Sequence, residues 1–483
     1  MLLSELLATP DLQPALRGLT VAGLTADSRM ARDGFAFFAI PGHAGDGMSY
    51  VADAAARGAC VVVAQRIADS SLPLVVVEDV RRALALAAAR FFSRQPSTIA
   101  AVTGTSGKTS VVAFLRQIWS ALGHEAASLG TVGIVDSGGA HYGALTTPGP
   151  VELHRTLDEL TGRGVTHLAM EASSLGIDQR RLDGVRVDVA GFTNFSRDHL
   201  DHHADMEDYF AAKMRLFDTL LHPGQTAVVD ADSDVASRVI EICRARGLDI
   251  FSVGRKGETI RLLNAAPHAL ATSLRLSHNG ADYELNLPLA GAFQVSNALV
   301  AAGLAIAGGD DPAQVFAALE ALKGAPGRLE LVGQQRGAPI FVDYAHKPDA
   351  LEKVLAALRP LTKKRLIVVF GCGGDRDRGK RPLMGEIVAR AADVAIVTDD
   401  NPRNEDAAAI RAEILEGTRG GAAQIIEIGD RRAAIANAVA GLETGDALVV
   451  AGKGHETGQI VGDRVLPFSD HEAIAQALEE HHS

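Results

Sequence analysis

The sequence predicts an α/β protein of several domains built on mostly parallel sheets. Three observations predict it. The chain has 483 residues, and at about 100–200 residues per domain that makes two to four domains. Short, wholly apolar runs recur along it, each followed by a helical stretch. Polar, glycine-rich segments follow directly after several of those runs, where a parallel sheet opens its ligand crevice.

Composition narrows the class. The chain is 47% hydrophobic and 22% charged, ordinary for a soluble globular protein. Lys plus Arg number 47 against 59 Asp plus Glu, a formal net charge of -12. That balance speaks against a nucleic-acid partner but leaves room for a local basic pocket that takes a small anion. Cys60, Cys243 and Cys372 lie far apart with no metal-ligand spacing, as expected in a reducing cytoplasm. The first residues lack the basic and apolar blocks of a signal peptide, and no run of about 18 apolar residues occurs. A cytoplasmic chain with no membrane partner is expected.

The elements fall into three regions. The first, 1–96, holds the runs Phe35–Ile40, Cys60–Ala64 and Leu74–Val77, and Arg94–Ser97 reads as a linker. The second, 97–327, opens with Thr98–Val102, a buried-strand pattern, then a glycine-rich turn. Val111, Leu115, Ile118 and Leu122 then recur at helical spacing. His167–Met170, Val187–Ala190 and Thr226–Val229 continue the strand–loop–helix alternation, and 259–290 alternates polar and apolar residues as an antiparallel insertion would. The third, 328–483, has strand runs Ile340–Asp343, Arg365–Phe370, Val394–Thr398 and Ala447–Ala451, the pattern of a Rossmann-like doubly wound domain.

The strongest chemical signal is Gly104-Thr105-Ser106-Gly107-Lys108-Thr109-Ser110, set between a strand and a helix. Glycines let backbone N–H groups close around phosphate oxygens, and the helix N-terminus adds its positive end. Lys108 can reach the terminal phosphates and Thr109 can offer a hydroxyl to Mg²⁺. The strict phosphate-loop pattern wants glycine where this chain has Val102, so the loop is a shortened variant. Glu171 follows a strand beside the phosphate loop, a natural place for a Mg²⁺ ligand, though taken alone such an acid is more often a cap or a surface residue. The segment Thr193–His203 crowds ionisable residues, His199 among them. Its histidines lack companion cysteines, and phosphate chemistry favours Mg²⁺ over zinc. Lys213 sits on an amphipathic helix and on spacing alone reads as a surface lysine with its stem along the helix. In the third region Gly371–Arg381, Asp399–Arg403 and Ala451–Glu456 each follow a strand. Any one could be a polar turn, but three at successive strand ends point to one crevice with cations for an anionic group.

As a set, these segments resemble the Mur ligases of peptidoglycan synthesis, over essentially the whole chain. Ala26–Arg29, Gly34–His43 and Asp46–Gly47 are similar to that family's uridine-binding region, and no GxGxxG opens the chain. Asp400-Asn401-Pro402-Arg403, with Gly371–Arg376, resembles the branch that adds diaminopimelate. The resemblance implies three domains in order: an N-terminal α/β UDP-binding domain, a central phosphate-loop ATPase domain and a C-terminal amino-acid-binding domain. It implies that Ser28, His43, Ala44 and Gly45 hold the uridine end, and that Thr146, Thr147, Ser173, Gln179 and Arg181 contact the UDP-muramoyl moiety. Gly104–Ser110 would bind ATP, with Asn297, Arg328 and Asp343 also on the nucleotide. Thr109, Glu171, His199 and Lys213, the last as a CO₂-derived carbamate, would hold Mg²⁺. Lys108, Lys213, His199 and Glu171 would carry the chemistry. Arg376, Asp400, Asn401, Pro402, Arg403, Gly452 and Glu456 would bind meso-diaminopimelate. The implied partners are all small molecules (UDP-N-acetylmuramoyl-L-alanyl-D-glutamate, meso-diaminopimelate and ATP) and the implied state is a monomer. Ser106, Leu175, Gln294 and Lys347 depart from the family's usual Asn, His, Asn and Thr. A folylpolyglutamate synthase would share the ATPase core but not this N-terminal region. A lysine-adding relative is a nearer rival. A phosphate-loop binding protein without ligation would leave Glu171, His199 and Lys213 without a role.

Overall fold

In a computed structural model of the chain, residues 1–9, 12–42, 45–67, 69–141, 145–200 and 202–480 are described. The apolar runs become strands. The first four, β1 (Gly23–Thr25), β2 (Phe35–Phe38), β3 (Val61–Ala64) and β4 (Leu74–Val76), pair in chain order as a parallel sheet. Such a sheet is apolar on both faces because both are covered. Phe38, Val61 and Val63 pack with Val80, Leu84 and Ala88 of the helix Val80–Phe91, while Phe37 and Val62 pack with Val51 and Ala54 on the other side. Asp79 caps that helix by accepting from the N–H of Arg82 at 2.9 Å.

The next eight strands are β5 (Thr98–Thr103), β6 (Ala126–Gly130), β7 (Gly133–Asp136), β8 (Gly139–His141), β9 (His167–Glu171), β10 (Val189–Phe192), β11 (Thr226–Asp230) and β12 (Asp249–Gly254). They lie in the order β12-β11-β10-β5-β9-β6-β7-β8. The strands from β12 to β6 are parallel, and β7 and β8 add an antiparallel edge. From β5 the chain first builds toward β6 and later returns to place β10 on the other side of β5. That reversal opens a crevice at the C-terminal end of β5. The helix Lys108–Ala121 buries Val111, Phe114, Leu115, Ile118 and Trp119 against the sheet.

Strands β13 (Ile260–His268), β14 (Ala271–His278) and β15 (Ala281–Leu287) form the antiparallel meander expected near 259–290. Beyond it come β16 (Glu330–Gln335), β17 (Ala338–Asp343), β18 (Leu366–Phe370), β19 (Val394–Val397), β20 (Gln424–Glu427), β21 (Ala447–Ala451) and a hairpin, β22 (Gly458–Val461) with β23 (Arg464–Pro467). The order β16-β17-β21-β18-β19-β20 is parallel from β17 onward, with β16 antiparallel at the edge. Strand order reverses between β18 and β21, so the loops leaving β18, β19 and β21 share one end of the sheet. Two compact units result: 1–259 with 300–312, and 260–299 with 313–483. The meander belongs to the second, where Leu270, Ala290 and Phe293 join the apolar cluster of Leu329, Phe341 and Leu355. Among the described residues no helix is long and apolar enough to cross a membrane.

One buried ion pair braces the second unit. The side chains of Arg431 and Asp470 are both wholly buried, and Arg431 donates to both Asp470 oxygens at 2.8 and 2.9 Å and to the carbonyl of Ala451 at 2.9 Å. Asp470→Ala should leave a buried, uncompensated guanidinium and lower stability by about 3–5 kcal/mol. The urea midpoint of the variant measures this, and an unmoved midpoint would contradict it.

Candidate active site

The phosphate loop leaves β5 through Gly104 (φ +143°), where a Cβ would stand 2.0 Å from Thr193 Oγ1. Only glycine fits there. The turn is braced by the segment after β10: Thr105 N–H donates to the carbonyl of Asn194 at 2.9 Å, Ser106 N–H to Asn194 Oδ1 at 3.0 Å, and Thr193 Oγ1 to the carbonyl of Ser106 at 2.7 Å. Tyr209 OH reaches Thr105 Oγ1 at 3.3 Å. Lys108 folds over its own loop, donating to the carbonyls of Gly104 at 2.8 Å and Thr105 at 2.9 Å. Thr109 and Ser110 are buried at the helix start.

Lys213 is not a surface lysine. It is 1% exposed and its Nζ donates to the same Gly104 carbonyl at 2.9 Å, over the Tyr209 ring at 4.3 Å. The helix Met206–Arg215 turns Tyr209, Phe210, Lys213 and Met214 inward, and Arg215 anchors its end on Asp183 at 2.7 and 2.8 Å. Burial, then the neighbouring Lys108 charge, hold the Lys213 amine well below the usual lysine range.

Glu171 ends β9 in register with Val102 of β5. It is 1% exposed and accepts from the N–H of Thr131 at 2.8 Å and its hydroxyl at 3.2 Å. A web of short hydrogen bonds ties it to the residues implied for the muramoyl moiety. Thr131 Oγ1 meets Thr146 Oγ1 at 3.0 Å, and Thr147 Oγ1 donates to the Glu171 carbonyl at 3.0 Å. Ser173 N–H donates to Thr147 Oγ1 at 3.1 Å. Arg181 donates to the Thr147 carbonyl at 2.7 Å and to Gln179 Oε1 at 2.7 Å. Sequence pattern did not reveal Thr131, which joins both halves of this web. His199 (φ +53°) pairs with Asp198 at 3.5 Å and stands 5.9 Å, ring to ring, from Tyr209. Among the described residues no three His, Cys, Asp or Glu side chains converge to hold a metal. One buried carboxylate and one hydroxyl beside a phosphate loop fit Mg²⁺, which takes few protein ligands and keeps water and phosphate for the rest.

In the first region Ser28 is buried at the start of a short turn capped by Asp27, and Gly45 accepts from Gly42 N–H at 2.9 Å. His43 and Ala44 lie outside the described residues.

In the second unit three loops meet. Asn401 makes three hydrogen bonds: its Oδ1 accepts from Lys453 Nζ at 2.9 Å and Ile460 N–H at 3.0 Å, and its Nδ2 donates to Glu456 Oε2 at 3.0 Å. Gly452 (φ +117°) lies against Asp400, with space for no Cβ: one would stand 2.7 Å from Asp400 Oδ2. Arg403 (φ +51°) bridges to Val461, donating its N–H to the Ile460 carbonyl at 3.0 Å and accepting from Gly462 N–H at 2.7 Å. Its Nη1 donates to the Gly374 carbonyl at 2.8 Å. Pro402 is buried, and Arg376 is exposed with its Nη1 on the Asp375 carbonyl at 3.0 Å. Beneath these loops the fully buried Arg381 chelates Glu405 at 2.8 and 2.9 Å and reaches Glu413 at 2.8 Å. Sequence reading counted Arg381 among the cations offered to an anionic group, whereas its burial and its pairing with Glu405 and Glu413 commit it to the protein. The hairpin drew no reading, because its partner Arg403 lies far from it in sequence.

The nucleotide set of this unit clusters as well. Asp343 accepts from Leu329 N–H at 2.6 Å and Ala345 N–H at 2.7 Å, and burial raises its carboxyl to about 6 against the opposing pull of Arg328. Arg328 lies 4.8 Å over the ring of Tyr344. Asn297 donates to Gln294 Oε1 at 3.0 Å, and Gln294 donates to the Arg328 carbonyl at 2.9 Å. The departure at Gln294 therefore reaches across to the segment before β16.

Comparison with known proteins agrees with this geometry. Residues 20–92 match the Mur ligase family catalytic domain, 102–305 the Mur ligase middle domain and 327–454 the Mur ligase glutamate ligase domain. The chain is 58% identical over 472 residues to the UDP-N-acetylmuramoyl-L-alanyl-D-glutamate–2,6-diaminopimelate ligase of Bradyrhizobium diazoefficiens, covering 97% of this chain and 96% of that one. It is 54% identical to the Agrobacterium fabrum protein of the same name, with 98% and 97% covered. A solved structure of a ligase with that name superposes with a TM-score of 0.75 at 30% identity, covering 100% of this chain and 99% of the other. With three family domains matched in order and 97% of its length aligned to a relative at 58% identity, the chain belongs to the Mur ligase family.

Proposed function

We propose that the chain joins meso-2,6-diaminopimelate to the D-glutamyl γ-carboxylate of UDP-N-acetylmuramoyl-L-alanyl-D-glutamate, with ATP split to ADP and phosphate. The observation that carries this reading is the full-length kinship to ligases named for both substrates. The braced phosphate loop and the cation-bearing crevice in the same chain support it. The working divisions are 1–96 for the UDP end, 97–327 for ATP and 328–483 for the amino acid. The enzyme works as a cytoplasmic monomer on small molecules.

A carboxylate is a poor acyl donor to an amine, so the γ-carboxylate first takes the γ-phosphoryl group of ATP. The acyl phosphate is then opened by the diaminopimelate amine, and phosphate leaves through a tetrahedral intermediate. Gly104–Ser110 cradles the phosphates, and Lys108, now lying on its own loop carbonyls, turns onto the terminal ones. Thr109, Glu171, His199 and a carbamylated Lys213 would hold Mg²⁺, which when bound neutralises charge between the two anions. Lys213 fits that modification because an uncharged amine adds CO₂, and burial beside Lys108 favours the uncharged form. Thr146, Thr147, Ser173, Gln179 and Arg181 orient the muramoyl peptide, Ser28, His43, Ala44 and Gly45 take its uridine end, and Asn297, Arg328 and Asp343 contact the nucleotide. Arg403 grips the distal carboxylate of diaminopimelate with the fork left by its Nη1 contact, among Arg376, Asp400, Asn401, Pro402, Gly452 and Glu456.

The direct test is phosphate release from Mg²⁺-ATP and the UDP-muramoyl dipeptide, with meso-diaminopimelate or L-lysine added in parallel. Release with diaminopimelate alone is expected, and equal release with lysine would defeat the specificity assigned to Arg403. Lys213→Ala should cut turnover by at least about 10²-fold, with partial recovery on adding a short carboxylic acid. Full activity of that variant would exclude the carbamate. Arg403→Ala should narrow the preference for diaminopimelate over lysine by about 10²-fold, since lysine leaves the guanidinium of the unaltered enzyme unpaired. Competition kinetics with both amino acids read the ratio.

A further inference from the structure

We propose that Lys453 is a positioning residue for amino-acid recognition, the buried cation that holds Asn401 and Glu456 in their binding arrangement; this rests on the reading of the crevice given above. Its side chain has no exposed surface. Its Nζ donates to Asn401 Oδ1 at 2.9 Å and Glu456 Oε2 at 3.2 Å, and stands 3.5 Å from Asp400 Oδ1. Two of its N–H groups are spent on hydrogen bonds and its charge is paired with Asp400. Wholly buried, Lys453 acts on the amino acid through the groups it holds.

Those groups come from two loops. Asp400 and Asn401 follow β19, while Glu456 follows β21. The hydrogen bond from Asn401 Nδ2 to Glu456 Oε2 closes a triangle with Lys453 at its apex. The ammonium can only donate, so it fixes the Asn401 amide with oxygen inward and nitrogen toward Glu456. It also sits between two carboxylates that would otherwise repel across the crevice. The other buried cations here are committed elsewhere, Arg431 to Asp470 and the Ala451 carbonyl and Arg381 to Glu405 and Glu413. The Glu456 side chain is 32% exposed and is the member of the triangle that faces outward. Lys453 thus sets the place of the one accessible carboxylate in the cluster.

The test measures phosphate release by the full chain carrying Lys453→Ala. Losing a charge-assisted bond should raise KM for diaminopimelate at least about tenfold, with KM for ATP and for the UDP-muramoyl dipeptide and kcat nearly unchanged. Methylammonium, which can occupy the vacated site, should bring KM for diaminopimelate back toward the unaltered value, and sodium should not. A parallel rise of all three KM values without rescue would reduce Lys453 to a packing residue. An unmoved KM for diaminopimelate would overturn the assignment outright. Should the alanine variant not fold, Lys453→Gln, which keeps a donor but no charge, carries the same expected split. If the unaltered chain itself shows no diaminopimelate-dependent release, the reading of the crevice fails rather than the role of Lys453.

Discussion

Two lysine amines share one backbone carbonyl. Lys108 and Lys213 both donate to Gly104, from a helix that follows β5 and a helix that follows β10. Two full positive charges at that separation, away from water, are costly. Burial and the neighbouring Lys108 charge shift the Lys213 amine toward its neutral form, which relieves that cost. The rest of the first unit serves this arrangement. Thr193 and Asn194 hold the loop shape that presents the carbonyl, and Tyr209 covers Lys213 while its hydroxyl reaches Thr105. Asp183 takes Arg215, keeping a third cation at the far end of the helix.

The parallel sheets explain why so much was legible in sequence. A strand buried on both faces must be apolar throughout, so Thr98–Val102 and Arg365–Phe370 announce themselves as runs. Chemistry then collects in the loops after them, and the phosphate loop and the Asp400–Arg403 loop stand out by composition. Side-chain environment was another matter. Lys213 lies at ordinary helical spacing, and only packing of β5, β10 and the helix Met206–Arg215 buries it. Lys453 stands in a conspicuous segment, yet its role depends on a loop about fifty residues earlier. Thr131 and the hairpin β22–β23 carried no local signal at all, because what they do is brace residues distant in sequence.

The web around Glu171 has the same logic. Thr131, Thr146, Thr147, Ser173, Gln179 and Arg181 come from four separate segments, yet each bonds to another member. Hydroxyl groups suit this task because each both donates and accepts, so the web can re-pair when a ligand arrives without leaving a buried group unsatisfied. A lone carboxylate in that place would instead need a cation. Glu171 sits at the border of the two, in register with the strand that feeds the phosphate loop.

The two units therefore solve opposite problems. In the first, the reactive groups rest on weak internal partners: Lys108 lies on loop carbonyls and Glu171 on one threonine. Neutral partners of this kind are readily exchanged for phosphate or a metal, which bind charged groups more strongly. In the second, the charged groups are already paired with one another through Lys453, Arg431 and Arg381. Under the proposed function little would have to be ordered when an amino acid arrives, so binding energy would go into discrimination rather than into building the site. Selection between two amino acids that differ by one carboxylate demands that rigidity. A guanidinium free to move could find water when the carboxylate is missing, whereas Arg403 is tied at its N–H, its carbonyl and its Nη1, as the proposed role in discrimination requires.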